Sequence, residues 1–213
     1  MRSKSESYKI FLKRILVILL LAFSINASAQ STISIKYLGL TVHPLGDESA
    51  HLQPLKLDKN AWFVLNIGTM MSYEKFVYRD LLSIKVMQGL FKDCSLKTMS
   101  VTSLTVKALI FENNKNRFYI AMGPAYLIRD SWTDYADDYV ASGFWKVKNT
   151  ERFGSVQYRM VGGLDLEYDR ILNEKHSISI SLTPGFPMAS IFSFGWKYWM
   201  NYREFPDHKF KLP

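Results

Sequence analysis

The side chains best able to do chemistry are few and scattered. Ser131 follows Asp130, and His43 lies far upstream. A serine hydrolase needs its hydroxyl within hydrogen-bond reach of a base that a third group orients. His43, Asp130 and Ser131 have the right types for hydrolysis of a lipid, provided that the fold brings them together. His176 and Ser177 are adjacent and form a second pair, and His208 lies near the C-terminus. His43, Asp47, His51 and Asp58 are ligand types, but their spacing matches no known metal pattern. No glycine-rich phosphate loop, dinucleotide fingerprint or paired-cysteine site is present. The expectation is therefore no metal, no cofactor and, on balance, no enzyme.

Contact chemistry is denser. Residues 130–153 carry Trp132, Asp134, Tyr135, Asp137, Asp138 and Tyr139, followed by Trp145 and a basic stretch with Lys146, Lys148 and Arg152. Aromatic rings beside carboxylates suit contact with an extracellular protein, a glycan or lipid headgroups. Clustered carboxylates also bind calcium, yet the spacing here matches no defined calcium loop. Loops carry function more often than walls do, so this segment is the leading binding candidate.

The elements that must position these residues are strands. From residue 191 to 204, Phe192, Phe194, Trp196, Tyr198, Met200 and Tyr202 alternate with Ser193, Gly195, Lys197, Asn201 and Arg203. Period-two alternation means an extended strand with one apolar and one polar face. Similar patterns predict strands over 33–42, 61–73, 76–90, 100–111, 118–129, 155–168 and 177–183. Tight polar connections are expected at Glu74 and Lys75 and at 112–117, and long ones at 43–60 and 130–153. Pro124 falls inside the fifth strand, where it requires a bulge or a frayed end. The first strand changes phase near Gly39, as a bulge would require.

The N-terminus supplies the compartment. Arg2, Lys4, Lys9, Lys13 and Arg14 precede an apolar run over 15–23, then Ala27-Ser28-Ala29. This predicts a cleaved signal peptide over 1–29 and export. Removing 29 residues from 213 leaves 184, a one-domain length. The full-chain charge of +8 falls to +4, because the signal holds five Lys/Arg and one Glu. That mild excess, together with export, argues against nucleic acid. Cys94 is the single cysteine, so no internal disulfide framework exists.

Apolar faces this large, on an exported chain, call for a solvent other than water. Tyr158 and Tyr168 share a face ten residues apart. At ~3.3 Å per residue and a tilt of ~40° this spacing rises ~25 Å, about the height of an outer-membrane apolar band. The signal, eight alternating strands, tight turns at one end and long loops at the other resemble the small outer-membrane β-barrels of Gram-negative bacteria. The resemblance implies an all-β, eight-stranded, antiparallel, up-and-down transmembrane β-barrel over 30–205. Outer-membrane lipid as the surroundings is implied with it, whereas a tail at 206–213 departs from the family pattern, in which the last strand commonly ends the chain at an aromatic residue. Arg79, Lys85, Lys107, Arg159, Lys197 and Arg203 would then face the lumen with Asp165 and Glu167, forming ion pairs in a filled interior. A narrow anion pore, a lipid A- or phospholipid-modifying hydrolase at the outer rim, and a secreted soluble barrel holding an apolar ligand are the alternatives. The leading expectation is a structural or surface-interaction protein.

Overall fold

The period-two faces become the two sides of a wall. The computed structural model describes residues 30–132, 151–153, 155–185 and 189–201. Its strands are β1 (Ser31–Val42), β2 (Phe63–Tyr78), β3 (Leu82–Lys92), β4 (Thr98–Asn113), β5 (Asn116–Asp130), β6 (Glu151–Phe153), β7 (Val156–Ile171), β8 (His176–Gly185) and β9 (Ala189–Trp199). Each consecutive pair from β1 to β5 is antiparallel, β5 pairs with β7, and β9 returns to β1. The result is a closed, eight-stranded, up-and-down barrel, with β6 as a short extension paired to the start of β7. The chain enters at the lower end, where the turns at 79–81, 114–115 and 172–175 lie. The long connection at 43–62 and the turn at 93–97 lie at the upper end.

Alternation decides which side each residue faces. Ile33, Ile35 and Tyr37 on β1 are exposed outward, whereas Thr32, Ser34 and Lys36 are buried inward. On β9, Phe194 (59 % exposed) and Trp196 point out, while Ser193 and Lys197 are buried. Met160 (72 %) and Met122 (61 %) continue the apolar outer wall on β7 and β5.

Several local expectations need revision. Glu74 and Lys75 do not form a turn: β2 runs through them to Tyr78, and the turn follows at 79–81. Ser72, Glu74 and Phe76 keep the inward phase, so Glu74 is a strand residue aimed at the lumen and not turn polarity. The lower connection before β8 shortens to 172–175, because β7 extends to Ile171.

The bulge in β1 lies between Leu38 and Leu40, at the phase change around Gly39. Pro124 faces outward where the β4–β5 pairing passes from Ser103↔Ala125 to Val106↔Met122, leaving Gly123 and Pro124 without partners on β4. A missing N–H is tolerated in such a lapse. The β7–β8 ladder runs only from Leu166↔Leu182 to Ile171↔Ser177, although β7 begins at Val156.

Candidate functional site

The lumen carries a belt of ion pairs at mid-height. Lys36 (β1), Lys85 (β3), Lys107 (β4) and Lys197 (β9) meet Glu74 (β2) and Asp165, Glu167 and Asp169 (β7). Glu167 is the hub. Its Oε1 accepts from Lys107 (2.6 Å) and Lys197 (2.5 Å), and its Oε2 from Lys36 (2.7 Å) and Lys85 (2.9 Å). Lys107 also donates to Glu74 at 2.8 Å, Lys85 to Asp165 at 3.0 Å, and Lys197 to Asp169. Glu74 takes a further hydrogen bond from Ser83 Oγ at 2.5 Å. Four ammonium groups face four carboxylates, so the belt is neutral. Charges this deep are tolerable only with partners, and each of the eight has at least one of opposite sign; Asp169 Oδ1 is the belt oxygen left without a hydrogen bond.

Apolar packing lies on both sides of the belt. Below it, Trp199 stacks on Phe76 with centroids 5.6 Å apart, beside Leu109 and Tyr119. Trp199 is fully buried and donates Nε1–H to Ser177 Oγ at 2.9 Å. Lys107 Nζ sits 3.9 Å from the Tyr119 ring centroid, joining this floor to the belt. Arg117 below it bonds Asp80 (3.1 Å) and Glu112 (2.7 Å). Above the belt, Leu38, Met70 and Phe91 pack with Met87, Met99, Val101 and Ile191. A recess of about 10 Å³ beside Lys36, Lys85 and Asp165 has room for about one water.

At the upper end, the 43–62 connection folds against the 93–97 turn. Ala61, Val64, Cys94 and Trp132 form a small core. Leu55 N–H donates to Cys94 O, and Ser95 Oγ to Leu52 O. Asp93 is buried, which raises its carboxyl above the usual range. Trp132 Nε1–H (2.7 Å) and the backbone amides of Lys97 and Ser95 oppose that shift. Burial likewise pushes the Cys94 thiol up, so it stays protonated. His43 is held below its ordinary value by burial, against the pull of Asp47 (3.8 Å) and Asp58. The Asp58 carboxyl lies below the usual range, because the amides of Phe63, Trp62 and Asn60 donate to it.

The expected site residues distribute unevenly. Lys85, Lys107, Lys197, Asp165 and Glu167 lie in the belt, and Arg159 is half-buried on the same inward face of β7. Arg79 does not face the lumen: it is an exposed turn residue with its guanidinium 5.6 Å from the Tyr78 ring. Arg203 lies outside the described residues.

His43 follows β1, whereas Asp130 ends β5 and Ser131 follows it, four strands away around the eight-stranded wall, and the carboxylate nearest His43 is Asp47 at 3.8 Å. Asp130 instead accepts the Thr98 amide (3.2 Å), and Ser131 is buried. The hydrogen bond of Asp130 to Thr98 and the pairing of His43 with Asp47 do not link the three residues of the expected hydrolase constellation. Trp132 is not a contact residue either, being 5 % exposed and bonded to Asp93. Asp134, Tyr135, Asp137, Asp138, Tyr139 and Trp145 lie outside the described residues. Among the described residues, no three His, Cys, Asp or Glu are grouped to hold a metal. Sequence reasoning missed Lys36, Glu74 and Asp169. For Lys36 the signal was present, since it continues the inward series Thr32, Ser34.

No protein-family model and no curated protein matches the chain. Among solved structures it is similar to Ail, the attachment invasion locus protein of Yersinia pestis. One such structure holds the heparin analogue sucrose octasulfate (13 % identity, TM-score 0.46, covering 81 % of this chain and 99 % of that one). A second is another crystal structure of Ail (16 %, TM-score 0.43, 81 % and 99 %). A third is a backbone structure in a phospholipid bilayer nanodisc (13 %, TM-score 0.39, 80 % and 99 %). The fold itself is read from this chain's own strand order. Eight antiparallel strands joined next to next and closed by β1 and β9 are the architecture of the small outer-membrane barrels.

Proposed function

We propose that the mature chain spans the outer membrane as a barrel with a filled lumen and acts through its outer loops, by surface contact with a protein or glycan. The observation that carries this reading is the inverted distribution of polarity. Glu167, Lys107 and Lys197 are buried at the axis, while the outer wall exposes Ile33, Ile35, Leu104, Val106, Phe194 and Met160. A water-soluble barrel holding an apolar ligand needs the reverse. Aromatic pairs mark two heights on the β5–β7 wall, Phe118 on Tyr168 (4.8 Å) below and Tyr126 on Tyr158 (6.3 Å) above. Eight to ten residues separate these rings along each strand, a rise of ~20–25 Å at a tilt of ~40°, as the girdles of a spanning barrel require.

The closed-lumen part of the reading draws on the neutral belt, the Trp199 floor and the general filling of eight-stranded interiors. The surface-contact part draws on the long upper connections and on the aromatic and acidic residues of 130–153. Fractionation tests the first premise. The mature protein is expected to resist carbonate extraction of membranes and to require detergent; release into plain buffer overturns the reading. Replacing 133–150 by a short Gly-Ser turn tests the second. The barrel should fold as before, judged by its heat-modifiable gel mobility, and lose binding on protein and glycan arrays. Binding that survives the replacement assigns contact to other loops.

A further inference from the structure

Among the described residues, the lower rim carries a larger exposed excess of bases over acids than the upper rim, where Lys59 and Lys92 are exposed with Glu48. Inside the wall, every lysine of the belt has a carboxylate, and Arg117 has two. Outside, at the lower end, Arg79, Lys115, Arg170 and Lys175 are exposed, against one exposed carboxylate, Glu174, among the described residues. Arg170 is held in place by a side-chain hydrogen bond. It shares the outward face of β7 with Leu166 and Tyr168, directly across from Asn116 in the β5–β7 register. Its Nη1 donates to Asn116 Oδ1 at 2.7 Å, and Tyr168 Oη donates to the same oxygen at 2.7 Å. The Lys115 carbonyl accepts Ile171 N–H at 2.8 Å, which ties the Lys115 turn to the same strand. Immediately above lies the Phe118–Tyr168 ring pair, where the apolar wall begins.

We propose that Arg170 and Lys115 seat the phosphate of an anionic phospholipid in the inner leaflet of the membrane. This inference rests on the membrane-spanning reading above. An amide oxygen fixes the guanidinium without neutralising it, leaving its other N–H groups for the fork-like contact that suits phosphate. The aromatic pair sits where the glycerol and first acyl carbons of that lipid would lie, in the position of a girdle. The remaining occupant to consider, a soluble anion, has no use for an apolar shelf above the charge.

Native mass spectrometry of the full mature barrel tests this after release from nanodiscs of mixed phosphatidylethanolamine and phosphatidylglycerol. Phosphatidylglycerol should remain bound in preference to phosphatidylethanolamine, by about fivefold for each base that acts near an anionic surface. Arg170→Gln with Lys115→Gln should abolish the preference, whereas Lys92→Gln at the opposite rim should leave it intact. Inorganic phosphate in excess should not displace the lipid. Equal retention of the two lipids, a preference that survives the double substitution, or displacement by inorganic phosphate overturns the inference. Failure of the unsubstituted protein to enter nanodiscs overturns the membrane reading instead. Heat-modifiable mobility of each variant separates lost binding from lost folding.

Discussion

Glu167 concentrates the electrostatics of the barrel in one carboxylate. Its two oxygens take four ammonium groups from four strands, so its removal leaves more buried positive than negative charge. Breaking such a pair on one side costs about 3–5 kcal/mol. Glu167→Gln is accordingly expected to lower the urea midpoint of unfolding in lipid by that free energy. Adding Lys36→Met restores neutrality and should recover part of it; a double variant no better than the single one contradicts the charge argument. His43 makes a pH prediction outside the wall. Its folded value lies below 6.5 because burial disfavours the imidazolium. The unfolded loop therefore takes up a proton first. The stability contributed at His43 is complete above pH 6.5 and is lost as pH falls through the folded value. Asp93, raised by burial, works in the opposite sense and favours mild acid. Hydrogen exchange over 43–62 should quicken below pH 6.5 in the parent and lose that step in His43→Gln.

At the scale of strands, glycine marks where the wall is tightest. A Cβ at Gly195 would stand 2.0 Å from Ile35 O, across the β9–β1 closure. At Gly162, on the outer face of β7, it would meet nothing within 4 Å. Gly195→Ala should lower the temperature of the gel-mobility transition by several degrees, and Gly162→Ala should leave it unchanged. Equal effects would place the origin in glycine entropy and not in the closure. The same strands show what alternation can and cannot convey. Phase alone places Lys85, Lys107, Lys197 and Glu167 inside, because each lies in an unbroken period-two run. It does not say which of them touch, since partners on non-adjacent strands depend on the stagger of the whole barrel. Glu74 was hidden by its neighbour Lys75, two adjacent charges that resemble a turn until Phe76 is seen to keep phase with Ser72. Trp132 was hidden for another reason: its burial depends on an acceptor at Asp93, across the β3–β4 turn.

For the molecule as a whole, the belt and the floor lie in series along the axis. On the filled-lumen reading, the protein should be silent in planar bilayers. Trp199→Ala should remain silent, because the belt still blocks the path, while costing about 3–5 kcal/mol in stability for the lost aromatic. Steady conductance in that variant would show that the ion pairs are no barrier. The general plan, strand number, closure and which end carries the long connections, is legible from periodicity and connection lengths together. The upper end is less so, since the packing of Ala61, Val64, Cys94 and Trp132 unites distant segments that share no period.

The buried floor residue at the lower end, Trp199, lies on β9, the last strand among the described residues. Trp199 reaches its place only when β9 has paired with β1 and β8, and its own amide then bonds the Lys175 carbonyl. A nascent chain that has inserted its earlier strands and awaits its last is an unsealed gutter. On the filled-lumen reading, sealing thus coincides with closure of the wall, and a chain cut before Ala189, which lacks β9 altogether, should leak where Trp199→Ala does not.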